Sequence, residues 1–240
     1  MKIIINTAEN IARQAAAQYQ ELLRGKPDAV LGLATGSTPL ALYAELARLN
    51  QAGEISFARA TSFNLDEYIG LPKGHPESYR CFMDRNLFSH IDIPLARTHV
   101  PSGADTSESA ALAYEAEIER AGGLDLQLLG IGDNGHIGFD EPGTPFGSCT
   151  HCTALAASTR EANKRFFSSL DEVPTHAVTM GIRTVMNARA IILIALGPNK
   201  AEALRATVLG EVTENVPASV LQLHPNVTIY ADYEAAALLN

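Results

Sequence analysis

The fold of this chain is decided around residues 30–39, which carry the sequence VLGLATGSTP. The first five of these residues form a short apolar run of the kind found in buried strands. Gly36 permits a tight turn, and Pro39 suits the first position of a helix because that position needs no backbone N–H donor. The stretch therefore predicts a strand over residues 30–34, a turn, and a helix from Pro39 onward.

The same alternation extends along the chain in both directions. Short apolar and β-branched runs predict further strands over residues 3–5, 60–64, 124–130, 177–180, 190–196 and 227–231. Helices are predicted behind Thr7 as N-cap, behind an Asp105/Glu108 capping box through about residue 121, and behind Asn199 as N-cap. In the helix after Pro39, the residues expected to face inward are Leu40, Tyr43, Leu46 and Ala47. The pattern predicts an α/β fold with an open, mostly parallel sheet and helices on both faces.

Composition narrows the classes of function. The chain has 240 residues, of which 46% are hydrophobic, and no repeat or low-complexity linker divides it, so we expect one domain over residues 1–240. A net charge of −9 without a basic stripe disfavours nucleic acid and anionic membranes as partners. The N-terminus lacks a signal-peptide pattern, and three cysteines form no disulfide framework, so a cytoplasmic protein is expected.

The turn at residues 34–39 is a candidate anion site. Gly36, Ser37 and Thr38 lie between a strand end and a helix N-terminus, where free backbone N–H groups and the helix dipole favour a phosphate. The turn lacks both the Walker lysine and the spacing of a dinucleotide fingerprint, so neither nucleotide motif is indicated. An ordinary turn with a Ser/Thr cap remains the alternative.

Two further strand ends carry groups suited to acid–base chemistry. Asp66 and Glu67 follow the predicted strand 60–64, and either is a candidate general base, although adjacent acids are more often a solvated turn. The glycine-rich loop after strand 124–130 holds Asn134, His136 and Glu141. An imidazole with a nearby carboxylate is typical of proton transfer, whereas a lone histidine is more often structural.

Two cations are candidates for an anion contact. Lys200 is expected in the first turn of a helix, where the dipole disfavours a cation unless an anion shares that position. Arg165 is a candidate second contact, and a surface base is the alternative for both. The Cys149/Cys152 pair lacks a second Cys/His pair at suitable spacing, so no metal is expected.

These motifs together resemble the glucosamine-6-phosphate deaminase family. The resemblance spans nearly the whole chain and is carried by residues 34–39, 64–68, 75–79, 135–139 with Glu141-Pro142, and 221–224. The related 6-phosphogluconolactonases typically have Asp-Glu-Arg where this chain has Asp66-Glu67-Tyr68, which favours the deaminase. The resemblance implies a modified Rossmann-like fold and a hydrolase of amino-sugar catabolism that needs no cofactor.

The resemblance also implies the role of each residue. His136 opens the sugar ring with support from Glu141 and Asn134, and Asp66 moves a proton from C2 to C1. Fructose 6-phosphate and ammonia are the products. The matching phosphate contacts are Ser37, Thr38, Arg165 and Lys200. Asn134 departs from the aspartate of many members, which predicts altered pH dependence rather than inactivity.

No allosteric regulation is expected. The segment 146–153 lacks the basic residues with which allosteric hexameric members bind their effector, which predicts a non-allosteric monomer or low-order homo-oligomer. Residues 150–175, which include Arg165, are a candidate lid. The alternatives are a galactosamine-6-phosphate deaminase, a lactonase in which His136 activates water, and a non-catalytic sugar-phosphate sensor.

Overall fold

The structure is a computed structural model that describes residues 1–157, 159–161 and 163–239. Its strands are β1 Lys2–Ile5, β2 Val30–Leu33, β3 Thr61–Asn64, β4 Asp66–Tyr68, β5 Thr98–His99, β6 Leu126–Leu129, β7 His151–Ala154, β8 His176–Thr179, β9 Ile191–Ala195 and β10 Val227–Ala231. Its α-helices are α1 Ala8–Gly25, α2 Leu40–Gln51, α3 Tyr79–Asn86, α4 Glu108–Arg120, α5 Ala157–Asn163, α6 Ile182–Met186 and α7 Ala201–Leu209.

A seven-stranded sheet forms the centre of the molecule. The strand order is β1-β10-β9-β6-β2-β3-β5, and every neighbouring pair in it is parallel. Strands β2, β6, β9 and β10 are buried along their whole length, so both faces of the sheet are covered. The predicted α/β fold with a mostly parallel sheet is confirmed.

The first two helices show how far the apolar pattern determines packing. Thr7 caps α1 as predicted, since its hydroxyl accepts from the backbone N–H of Asn10 at 3.4 Å. In α2 the predicted inward position of Leu40 is wrong, because that side chain is exposed and Leu42 is buried instead. Leu42 lies one helical turn before Leu46, so it shares the buried stripe that Leu40 misses.

Two predicted caps were also wrong. Ser107, not Asp105, caps α4, because its hydroxyl accepts from the backbone N–H of Ala110 at 3.2 Å. The carboxylate of Asp105 accepts from the N–H of Ser107 and so stabilises the turn before the helix. Asn199 lies in a 3₁₀ turn, Pro198–Lys200, and Lys200 itself occupies the N-cap position of α7.

A second, three-stranded sheet was not predicted. Its antiparallel order is β4-β8-β7, so the predicted strand at residues 177–180 belongs here and not to the main sheet. Asp66, Thr179 and His151 are in register across its three strands. Directly paired residues of antiparallel strands point to the same face, so these three side chains form one row.

Among the described helices, none combines the length and the apolar character that crossing a membrane requires.

Candidate active site

The four strand ends singled out in the sequence lie side by side. In the main sheet β9, β6, β2 and β3 are consecutive neighbours, and parallel strands bring their carboxyl ends to one edge. The turn after β2 meets the loop after β6, because a Cβ at Gly130 would lie 3.9 Å from Oγ1 of Thr38. The same loop reaches the junction after β3, because a Cβ at Gly138 would lie 3.7 Å from Oδ2 of Asp66.

Of the two adjacent acids, the structure gives Glu67 a structural role. Its carboxylate accepts backbone N–H bonds from Tyr68, Tyr79 and Arg80 at 2.8, 2.9 and 3.0 Å. Two of these donors belong to the start of α3, so Glu67 satisfies groups that a helix N-terminus leaves unpaired. Asp66 therefore remains as the acid available for chemistry.

Asp66 is a buried carboxyl with a strongly altered proton affinity. Its side chain is 6% exposed. Burial, with a smaller contribution from the charge of Glu67, raises the pKa of Asp66 to about 8. A carboxylate with such a raised pKa is a stronger base than an exposed one, which suits proton abstraction from carbon.

His136 is held by an ordered chain of hydrogen bonds. Its Nδ1 lies 2.8 Å from Oδ1 of Asn134 and 3.4 Å from Oε2 of Glu141. The orientation of the amide is fixed, because Nδ2 of Asn134 donates to Oε2 of Glu141 at 2.8 Å and Oδ1 accepts from the backbone N–H of His136. Both neighbours of Nδ1 are thus acceptors, so Nδ1 carries the proton and Nε2 is left as a free base.

The carboxylate of Glu141 is ionised at neutral pH. Burial opposes its charge, but hydrogen bonds with His136, Thr159 and Asn134 outweigh burial and lower the pKa of Glu141 to about 2. One of these donors was not predicted: Oγ1 of Thr159 lies 2.5 Å from Oε1 of Glu141. Thr159 belongs to α5, within the segment expected to act as a lid.

One glycine of the loop is required by the imidazole itself. A Cβ at Gly132 would lie 2.2 Å from Cε1 of His136, which is far inside van der Waals contact. The ring therefore lies directly over the backbone of Gly132, and any side chain there would displace it.

The predicted anion site lies at a helix N-terminus without a side-chain cap among the described residues. Gly36 adopts a φ of 95°, which only glycine reaches without strain, and Ser37 is exposed beside it. The N-cap position of α2 is Pro39, and no described side chain accepts a capping hydrogen bond there. The first N–H groups of α2 therefore have no side-chain acceptor, and the helix dipole adds to their attraction for an anion.

The two predicted cations differ in their surroundings. Nζ of Lys200 contacts the carboxylate of Asp133, which also accepts from Nδ2 of Asn199 at 3.0 Å. Burial opposes the negative charge of Asp133, but the hydrogen bonds from Lys200 and Asn199 and the charge of Lys200 outweigh burial and lower the pKa of Asp133. Arg165 is exposed, and its guanidinium lies over the ring of Phe166 at 4.7 Å. Among the described residues, no hydrogen bond or ion pair joins Arg165 to the other site residues.

The site also contains two titratable side chains that the sequence did not single out. Asp140 is fully buried behind the loop, and Nε2 of His151 lies 3.8 Å from its Oδ1. Neither position carries a local signal, since their proximity depends on the unpredicted strand β7. Within the part of the chain that the structure describes, no group of three or more His, Cys, Asp or Glu side chains is arranged to hold a metal ion.

The sequence and the fold have known counterparts. Residues 5–230 match the family model described as glucosamine-6-phosphate isomerases/6-phosphogluconolactonase. A glucosamine-6-phosphate deaminase of Thermoanaerobacter pseudethanolicus is 51% identical over 241 residues, covering 100% of this chain and 95% of its own. A solved structure described as a monomeric glucosamine-6-phosphate deaminase has 47% identity and a TM-score of 0.96, covering 99% of this chain and 100% of its own. The 6-phosphogluconolactonase of Trypanosoma brucei shares the fold at 19% identity and a TM-score of 0.78, covering 100% of this chain and 98% of its own.

Proposed function

Since this chain belongs to the family of glucosamine-6-phosphate isomerases and 6-phosphogluconolactonases, we propose that it is a glucosamine-6-phosphate deaminase. It converts glucosamine 6-phosphate and water to fructose 6-phosphate and ammonia. The observation that carries this proposal is the buried carboxylate of Asp66 beside the loop that presents His136. Aldose–ketose isomerisation needs one group for ring opening and a second base for a carbon acid, and His136 and Asp66 supply these two groups. Tyr68, where the lactonases typically have arginine, favours this reaction over lactone hydrolysis.

His136 opens the sugar ring. Its free Nε2 accepts the proton of the C1 hydroxyl and returns it to the ring oxygen, while Nδ1 keeps its proton on Asn134. The imidazole is transiently charged during this transfer, and the ionised Glu141 at 3.4 Å stabilises that charge. The products of the step are the free aldehyde at C1 and an open chain.

Asp66 then transfers a proton between carbon atoms. It removes the proton of C2 while O1 takes up a proton from the substrate ammonium, which gives an enolamine. Asp66 then delivers its proton to C1, which leaves an imine at C2. Water adds to the imine, and ammonia leaves as the C2 carbonyl forms. In the free protein the pKa of Asp66 is about 8, and a bound substrate ammonium lowers that pKa by opposite charge. Substrate binding thus ionises the base that the reaction needs.

The phosphate is held at the opposite end of the cleft. Its oxygens accept from Ser37, Thr38 and the backbone at Gly36, at the uncapped N-terminus of α2. Lys200 contributes a cation, and its present partner Asp133 must share or release it. Arg165 is exposed in this structure and does not contact the other phosphate ligands among the described residues. It reaches the phosphate when the lid formed by residues 150–175 closes over the single domain.

Two related properties follow from the same proposal. The segment 146–153 contains no Lys or Arg to bind an anionic effector, which supports a non-allosteric enzyme. The relative with the TM-score of 0.96 is described as monomeric, which supports a monomer or low-order oligomer here. Galactosamine 6-phosphate differs from the proposed substrate only in the orientation of one hydroxyl, so it is the second candidate substrate.

The test is release of ammonia from glucosamine 6-phosphate, beside parallel assays with galactosamine 6-phosphate and 6-phosphogluconolactone. We expect the first substrate to give the highest kcat/KM, with no effect of N-acetylglucosamine 6-phosphate on the shape of the saturation curve. The surface variant Asp28→Asn is the matched control and keeps wild-type activity. Faster hydrolysis of the lactone than deamination of either amino sugar would overturn the proposal.

A further inference from the structure

Asp140 is a buried acid without a hydrogen-bond partner. Its side chain is 0% exposed, and neither carboxyl oxygen has a partner among the described residues. A buried carboxylate normally accepts several hydrogen bonds, because leaving its charge unpaired costs several kcal/mol. A neutral carboxylic acid is far less costly in such surroundings, so the structure favours the protonated form of Asp140.

The position of Asp140 follows from the turn that precedes it. Its backbone N–H donates to the carbonyl of Ile137 at 3.0 Å, which closes a tight turn over the three-stranded sheet. Within that turn the N–H of Phe139 donates to Oγ1 of Thr179 at 3.1 Å. Thr179 is the middle residue of the row formed with Asp66 and His151, so Asp140 lies above that row.

Few titratable groups face Asp140 from the elements around it. Strand β4 contributes Asp66, β7 contributes His151, and β8 between them contributes Thr179, which does not titrate. Helix α3 contributes Tyr79, whose ring stacks on Phe139 and whose pKa is raised far above neutrality by burial. The relevant groups are therefore one acid, which is the proposed catalytic base, and one imidazole.

Asp66 and Asp140 do not tolerate two charges at once. Burial and the charge of Asp66 raise the pKa of Asp140 to about 8. Because the described residues offer no hydrogen bond to either carboxyl oxygen of Asp140, its anion is not stabilised, and Asp140 keeps its proton when Asp66 ionises. A second charge would also oppose the negative charge that develops on the substrate when its C2 proton is removed.

His151 is suited to hold the proton of Asp140. Its Nδ1 lies 2.8 Å from the carbonyl oxygen of Cys149, so Nδ1 is the donor and Nε2 carries the lone pair. That lone pair faces Oδ1 of Asp140 at 3.8 Å, longer than a hydrogen bond, so a small shift of the imidazole completes the contact. The imidazole is one-third exposed and so connects the buried acid to solvent.

We propose that Asp140 is a positioning residue that keeps its proton while Asp66 works as the base, and that Nε2 of His151 accepts this proton in a hydrogen bond. The pair keeps a further negative charge, in addition to that of Glu67, away from Asp66. The inference rests on the proposed deaminase function for its kinetic test.

Three variants separate the members of the pair by the pH dependence of kcat. Asp140→Asn removes the titrating acid, so the alkaline decline of kcat moves to higher pH by about one unit or disappears. His151→Asn keeps a donor for the carbonyl of Cys149 but lacks an acceptor at the Nε2 position. Asp140 then ionises more readily, and the decline moves to lower pH by about 0.5–1 unit. The double variant matches Asp140→Asn, because His151 acts only through Asp140.

Two controls accompany these variants. His151→Gln brings an amide oxygen near the Nε2 position and should return the profile toward that of the wild type. His176→Asn changes an exposed histidine of the same small sheet and should leave the profile unchanged. Identical profiles for wild type and Asp140→Asn would overturn the proposal, as would an effect of His151→Asn that persists in the Asp140→Asn background.

A measurement without substrate keeps this inference separate from the proposed function. The NMR chemical shift of Nε2 of His151 in the free protein at fixed pH should change in Asp140→Asn, because Nε2 loses the hydrogen bond from the carboxylic acid. An unchanged Nε2 shift would contradict the pair even if the enzyme deaminates its substrate. A changed Nε2 shift together with no ammonia release would uphold the pair and reject the deaminase.

Discussion

The amide oxygen of Asn134 lies 2.8 Å from Nδ1 of His136 and fixes which nitrogen of the imidazole carries the proton. Asn134 is itself oriented by Glu141, so the carboxylate acts on the imidazole both directly and through a neutral amide. A neutral partner fixes the tautomer without raising the basicity of the imidazole, whereas a carboxylate does both.

Asn134→Asp is therefore expected to move the pH dependence of the reaction without abolishing it. A carboxylate at position 134 stabilises the charged imidazole that forms during ring opening, so the acid limb of the kcat/KM profile is expected to move to higher pH. Asn134→Leu removes the acceptor, and we expect kcat to fall by about 10²-fold because the tautomer is no longer fixed. Coincident profiles for wild type and Asn134→Asp would eliminate this role for the amide.

Thr159 is expected to couple the lid to catalysis. Its hydroxyl donates to Glu141 from α5. Thr159→Val removes the donor with little change in volume, so Glu141 is held less firmly and kcat should fall by about 3–10-fold, with a smaller change in KM. Thr159→Ser should restore most of the activity.

Thr153→Val serves as the control for this pair of variants, because within the described part of the chain the hydroxyl of Thr153 donates a hydrogen bond only to the carbonyl of its neighbour Ala154. Steady-state kinetics at a fixed pH decide the question. If valine and serine at position 159 behaved alike, the hydroxyl would have no part in catalysis.

Asp133 is expected to compete with the substrate phosphate for Lys200. Asp133→Asn removes an anion from Lys200, so KM should fall several-fold at low ionic strength, and less in high salt because the charges are partly exposed. Lys200→Met should raise KM by 10-fold or more. The exposed acid Glu211 provides the control variant Glu211→Gln, and a KM that rises in Asp133→Asn would show that Asp133 positions Lys200 instead.

The buried acid Asp140 is expected to make stability depend on pH. Its pKa is about 8 in the folded protein and about 4 in the unfolded chain, so between these values only the folded state binds the proton. The free energy of unfolding of the wild type therefore falls as the pH rises from 4 to 8. In Asp140→Asn the free energy of unfolding does not fall in this way. The difference in free energy of unfolding between the variant and the wild type should therefore increase, in favour of the variant, by on the order of 3 kcal/mol from pH 5 to pH 8.

Urea unfolding of both proteins at these two pH values measures the difference. The comparison between pH values matters more than either absolute stability, since replacing the carboxyl group by an amide also changes the stability in a way that does not depend on pH. An Asp140→Asn variant whose advantage over the wild type is the same at pH 5 and pH 8 would mean that Asp140 is ionised in the folded protein.

The sequence predicts the main sheet well because its strands are apolar runs with turns at both ends. Strand 227–231 is predicted to the residue, and Asp66, His136, Glu141 and Lys200 are correctly expected at neighbouring strand ends. This success has a physical basis: a parallel sheet brings all its carboxyl ends to one edge, so local patterns suffice to locate the candidate site.

The three-stranded sheet escapes prediction because β4 and β7 are short and polar, and because its middle strand, predicted at residues 177–180, was expected in the main sheet. β4 is only three residues long, is separated from β3 by a single residue, and carries two acids, so nothing in its pattern favours a strand. The sequence therefore does not predict the contacts that depend on this sheet and on its neighbour α5. Asp140, His151 and Thr159 join the site through tertiary packing, which leaves no periodic signal in the sequence.

The central claim is that Asp66 removes the C2 proton, and exchange of that proton in D₂O tests it most directly. The NMR signal of the C2 proton of glucosamine 6-phosphate is followed with wild type, Asp66→Asn and the control Asp28→Asn. We predict exchange and ammonia release with wild type and control, and a loss of both by about 10³-fold in Asp66→Asn with substrate binding retained. C2 exchange within about tenfold of wild type in Asp66→Asn would contradict the account.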